Sequence, residues 1–140
     1  MKPILCCLFL LLSVACSSVT AEGSYTVTSA RKSGTCSGTT GAGTTWTISD
    51  SGDGDAFTLQ FPGVSGGCRL LSVGGDATKL QGKCTILVGD ATTADDAITA
   101  QYSLDFVSDG FSGTSAVHLP PAKSAPTGCD GVLAITGKRL

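Results

Sequence analysis

The chain lacks most of the residues and patterns that announce a reaction. It has one histidine, one tryptophan and only 14% charged residues. A lone His118 with no serine or cysteine nucleophile in a recognisable setting makes no legible catalytic triad. Zinc-protease, phosphate-loop and dinucleotide motifs are absent, and the glycine pairs do not sit between a strand and a helix. No basic stripe is present to neutralise phosphates, and the net charge is −2, so nucleic acid is not an expected partner. No paired Cys-x-x-Cys knuckle exists, which argues against a zinc site. No cofactor is expected and an enzyme is not. The longest apolar run, residues 4–12, is far short of the ~20 residues a spanning helix needs.

What is present near the start is an export pattern. Lys2 supplies a positive charge, residues 4–12 an apolar core, and small residues follow, as in a secretory signal peptide. Two processing sites compete. The stretch Leu12-Ser13-Val14-Ala15-Cys16 places a small residue before a cysteine. Val19-Thr20-Ala21 instead suits an ordinary cleavage that leaves Glu22 first. On the first reading residues 1–15 are the signal, 16–22 a short linker or tether, and 23–140 a single domain.

The Ala15-Cys16 junction resembles the lipobox of small bacterial envelope lipoproteins. It departs from it at Ser13, where Leu, Val or Ile is usual. The resemblance implies diacylglycerol and further acyl chains such as palmitate on Cys16, and hence a membrane partner through a lipid anchor. Ser17 differs from the Asp that retains many such proteins in the inner membrane, so the resemblance points to the outer membrane. The second processing site implies a secreted or periplasmic form.

Seven cysteines become four once the leader is set aside, because Cys6 and Cys7 leave with it and Cys16 is lipidated or also removed. The remaining Cys36, Cys68, Cys84 and Cys129 form an even set in an exported small domain, which implies disulfides. Three connectivities are possible. Cys68 and Cys84 flank the turn Gly74-Gly75-Asp76 and come opposite each other in a hairpin centred there. Cys36 follows the first strand and Cys129 precedes the last. If those strands pair, the two meet at one end of the sheet. The expected bonds are Cys68–Cys84 and Cys36–Cys129.

Between these points apolar residues recur with period two, the mark of half-buried strands. Tyr25 and Val27 share a face, as do Trp46 and Ile48, then Phe57, Leu59 and Phe61. Longer rows follow in Leu80–Val88, Ile98–Phe106 and Phe111–Leu119, each opposite a polar row. The last strand, around Val132 to Lys138, is apolar on both faces and suits a closing position. Pro62-Gly63, Gly74-Gly75 and Asp109-Gly110 read as turns, the last as a two-residue hairpin loop between Phe106 and Phe111. Residues 49–54 read as a tight connection, 120–128 as the longest loop, and 92–97 as at most one helical turn. The pattern predicts an all-β domain of about eight strands, a small antiparallel meander barrel with a two-sheet sandwich as the alternative. A barrel this small is filled by side chains.

Few side chains suggest a site. Asp50, Asp53 and Asp55 crowd a glycine-bearing loop and are the only calcium candidate; the plainer reading is a turn in which Asp and Gly serve the backbone. Asp90, Asp95 and Asp96 invite the same plain reading. Trp46 belongs in the core, near a disulfide. His118 falls out of phase with Val117 and Leu119 and faces solvent near the rim. Arg31, Lys32 and Arg69 form a candidate basic patch for an acidic partner. The flat outer row Ser112, Thr114 and Ala116 is a surface on which a protein can lie. Two functions follow. The first is a non-enzymatic envelope module that binds a protein partner or supports an assembly. The alternative is an inhibitor of a secreted lysozyme or protease. Small bacterial inhibitors of that kind are similar in size, export and expected fold, though none of their loop motifs occurs here. On that alternative the inserting element is the loop bearing Pro120, Pro121, Lys123 and Pro126.

Overall fold

A computed structural model describes residues 18–36, 43–52, 54–64, 67–87, 97–121 and 127–140. Eight strands follow one another: β1 (Gly23–Gly34), β2 (Thr44–Asp50), β3 (Ala56–Gln60), β4 (Cys68–Val73), β5 (Asp76–Ile86), β6 (Ile98–Val107), β7 (Gly110–Leu119) and β8 (Cys129–Arg139). Each pairs antiparallel with the next, and β8 returns to pair with β1, so the sheet is a closed meander barrel and not a sandwich. Closure satisfies the backbone groups that an open sheet leaves at its edges.

Each predicted row points inward. Tyr25, Trp46, Phe57, Leu59, Leu70, Leu80, Leu104, Phe106 and Phe111 are buried, whereas their polar strand neighbours face out. Apolar inside and polar outside is the reverse of a membrane-spanning barrel. Six rings fill the interior as one cluster. Tyr25 meets Phe106 and Phe111 edge-on at 5.8 and 5.2 Å, Trp46 lies 6.1 Å from Phe111, and Trp46, Phe61 and Tyr102 contact one another beyond it. Trp46 thus belongs to this aromatic cluster, within the same core that holds Cys68 and Cys84.

The turns follow from residue type, with one correction. Gly74 and Gly75 have φ of 63° and 78°, the pair of left-handed residues that a two-residue turn matched to strand twist demands. The hairpin after Phe106 is displaced from the expected position. Its loop residues are Ser108 and Asp109, Val107 pairs with Gly110, and neither loop residue has positive φ. Gly110 is already in the strand, where a Cβ would collide with the Gly137 carbonyl oxygen. Facing Phe106 with Phe111 sets this register.

Among the described residues one serine is fully buried. Ser115 lies opposite Tyr102, and its hydroxyl has no hydrogen-bond partner. A buried unpaired hydroxyl costs more than it returns. Ser115→Ala should therefore raise stability by about 1 kcal/mol, read as a higher urea midpoint at unchanged slope.

Burial also raises the pKa values of two tyrosines above the ordinary range. Arg139 opposes the effect at Tyr25 through its charge and its hydrogen bond. The unfolded chain releases these protons first, so stability is intact below about pH 10 and falls as pH rises past it toward the folded-state values. Tyrosinate absorbance against pH, run beside urea unfolding, should show ionisation and loss of stability together above pH 10.

Candidate functional site

In an eight-stranded meander alternate connections leave opposite ends of the barrel, and here the two ends differ. At one end β2–β3, β4–β5 and β6–β7 are joined by short links, 51–55, 74–75 and 108–109. At the other, all four connections are long: 35–43, 61–67, 87–97 and 120–128.

Both disulfides brace the roots of the long connections. Cys36–Cys129, with Cα atoms 4.9 Å apart, ties the connection after β1 to the one before β8. Cys68–Cys84, at 5.1 Å, ties the one before β4 to the one after β5. The pairing is the expected one, because β1 and β8 do pair and the β4–β5 hairpin does set its cysteines opposite each other. Inward-pointing Phe61, Ile86, Val117, Leu119 and Leu133 reach this mouth only half-buried. The sequence rows contained these residues, but nothing in them distinguished a row's buried centre from its open end.

The opposite end is closed by the chain's own N-terminal segment. Val19 packs on the core and Ala21 is buried. The Tyr25 hydroxyl donates to the Ala21 carbonyl at 2.8 Å. Arg139 donates to the carbonyls of Glu22 and Thr20 and to the Tyr25 hydroxyl, with its guanidinium 5.1 Å from the Tyr25 ring centre. The expected tether 16–22 is therefore packed onto the barrel over its described C-terminal part.

Beside the mouth, His118 Nδ1 lies 2.6 Å from Asp130 Oδ1 and ties β7 to β8. Both are exposed, so the pair contributes at most about 1 kcal/mol. Asp130 also holds the 35–43 connection, accepting the Thr35 amide on its carbonyl at 2.7 Å. The pair sits on an outer-wall groove of about 450 Å³ with Lys83, Thr99, Gln101 and Val132. His118 faces solvent as its phase required; its carboxylate partner was invisible because it is set by β7–β8 register.

The remaining candidates separate. Asp50 and Asp55 lie at the short-link end. The Asp50 carboxylate accepts the amides of Gly52 and Gly54 at 2.8 and 3.2 Å, and Asp55 accepts the Ser72 hydroxyl at 3.1 Å. Asp53 lies outside the described residues, and no cluster of metal-ligating side chains occurs among those described. Arg31 and Lys32 are on β1 and Arg69 on β4, with two strands between them, so they form no single patch. Arg31 instead donates to the Cys36 carbonyl. Pro120 and Pro121 begin the last long connection at the mouth, whereas Lys123, Pro126, Asp90, Asp95, Asp96 and Cys16 lie outside the described residues. So do the leader and most of 92–97.

Comparison with protein-family models, with characterised proteins and with solved structures yields no match. The chemistry of the two ends therefore carries the functional reading.

Proposed function

We propose that this is an exported, lipid-anchored, non-enzymatic module of the bacterial envelope, and that it binds a protein partner through the mouth of the barrel. One observation carries the reading: four long connections emerge together around half-buried apolar side chains, with a disulfide cysteine at one root of each. Loops on a rigid scaffold are where recognition resides, and bracing their roots lowers the ordering cost of binding. The interior is filled by side chains, which favours a macromolecular partner over an enclosed small ligand.

The test is capture from an envelope fraction with paired variants. Leu87 is exposed at the mouth and Val107 at the far end. Leu87→Asp should abolish capture of a stoichiometric partner and Val107→Asp should leave it unchanged. Equal loss in both, or in neither, removes the mouth as the binding face.

The inhibitor reading uses the same end. Pro120 and Pro121 stiffen the start of the connection 120–128, as an inserting loop requires. If it holds, the captured protein is a lysozyme or protease, and excess protein reduces its activity until residues 122–126 are replaced by glycine and serine.

A further inference from the structure

We infer that residues 18–22 stay in the mature protein and that the lipid on Cys16 seats the barrel on the bilayer by its strapped end, with the mouth facing away. The inference rests on the lipid-anchored reading above and adds a processing boundary and an orientation to it.

The boundary follows from what the strap does. Cleavage before Glu22 would remove Val19, Thr20 and Ala21. Those residues supply a core contact, an acceptor for Arg139 and the acceptor for the buried Tyr25 hydroxyl. Tyr25 would then lose the acceptor for its hydroxyl and the core its cover at this end, while Arg139 would lose an exposed acceptor. Processing at Cys16 keeps the strap whole.

The orientation follows from covalent reach. Val19 is fixed on the barrel. Three residues, however arranged, span at most roughly 11 Å. The acylated cysteine therefore holds the strapped end within that distance of the lipid surface. Ten-residue strands tilted as in a small barrel rise roughly 25 Å. With the barrel axis upright the mouth stands more than one tether length from the membrane, and the surface of the strapped end decides whether it stands so.

An independent observation agrees. Among the described residues, the exposed large apolar side chains are Leu71, Val73, Leu87, Val107 and Leu140. All except Leu87 lie toward the strapped end, with Val73 and Val107 beside its two turns and Leu140 at the chain's end. The same end carries Glu22, Asp50, Asp55, Asp76, Asp105 and Asp109 against Lys79, Lys138 and Arg139, so anionic headgroups offer it no net attraction. The acyl chains do the holding, and the apolar side chains set which end touches.

The experiment expresses the full chain with its leader in a bacterium and purifies the processed protein. Intact mass should show acyl groups on a chain that begins at Cys16. An unacylated chain beginning at Glu22 would defeat the anchoring reading and the boundary together. The acylated protein, carrying either Val107→Trp or Leu87→Trp, is then placed in phosphatidylethanolamine–phosphatidylcholine vesicles with brominated acyl chains. Emission from the Val107→Trp protein should be quenched several-fold more than that from Leu87→Trp, with buried Trp46 as a common background. A Gly-Ser spacer inserted after Ser17 should reduce the difference. Equal quenching at both ends on an acylated chain would overturn the orientation while leaving the anchor in place.

Discussion

Replacing Cys36 and Cys129 together by serine should lower the unfolding free energy by about 4.6 kcal/mol, because the bond closes a long loop in the unfolded chain. Its residues are 93 apart in sequence. The Cys68–Cys84 bond spans only 16, so its removal should cost about 3 kcal/mol by the same argument. The difference is small, but the local consequences differ more. Cys36–Cys129 lies at the seam where β1 meets β8, beside the Thr35 amide bond to the Asp130 carbonyl. Losing it should let the seam fray from the mouth inward. Amide exchange at Leu133 and Val132 should quicken more than at Tyr102 and Leu104. Urea unfolding of the two double variants gives the energies, and exchange gives the location. A larger loss from the short-range bond would show that unfolded-state entropy is not the source.

Gly137→Ala should cost about 3 kcal/mol, at the upper end for overpacking a filled core. Gly137 pairs with Phe111 across β7–β8, and the Phe111 ring lies over it. An added Cβ would stand 2.5 Å from Phe111 Cζ and 2.6 Å from Cδ1, closer than carbon atoms approach. The ring has nowhere to go, since it is held by Tyr25 and by Phe106 at 5.1 Å. The cost should therefore be non-additive. In a Phe111→Leu background the alanine should be tolerated much better, and a double-mutant cycle on urea midpoints measures the coupling. An additive pair would mean that the glycine is needed for its backbone and not for the ring.

The residues that made these arguments possible were not equally visible beforehand. The inward rows and most turns follow from neighbours in sequence: Leu104 and Phe106 alternate with Ser103 and Asp105, and Gly74-Gly75 breaks the chain where two left-handed residues are needed. The Ser108–Asp109 loop was misplaced by one residue because glycine serves turns and close strand contacts alike. Gly110 is present for the backbone of β8, which lies far away in sequence. The two disulfides were legible because each depends on a single pairing that strand order suggested. The His118–Asp130 pair, the Arg139 strap and the half-buried mouth were not, since each joins residues whose proximity is fixed by the register around the closed barrel.

By itself, then, the amino-acid order determined a β domain with an apolar face on each strand and the disulfide partners. Period-two hydrophobicity and cysteine parity are local properties that need no knowledge of which strands touch. Closure of β8 on β1 was decided only in three dimensions, and with it the separation of a strapped end from a loop-bearing end. The reason is physical: which end a connection leaves from, and what residues 19–22 pack against, depend on contacts between segments more than a hundred residues apart, such as Arg139 with Thr20 and Glu22.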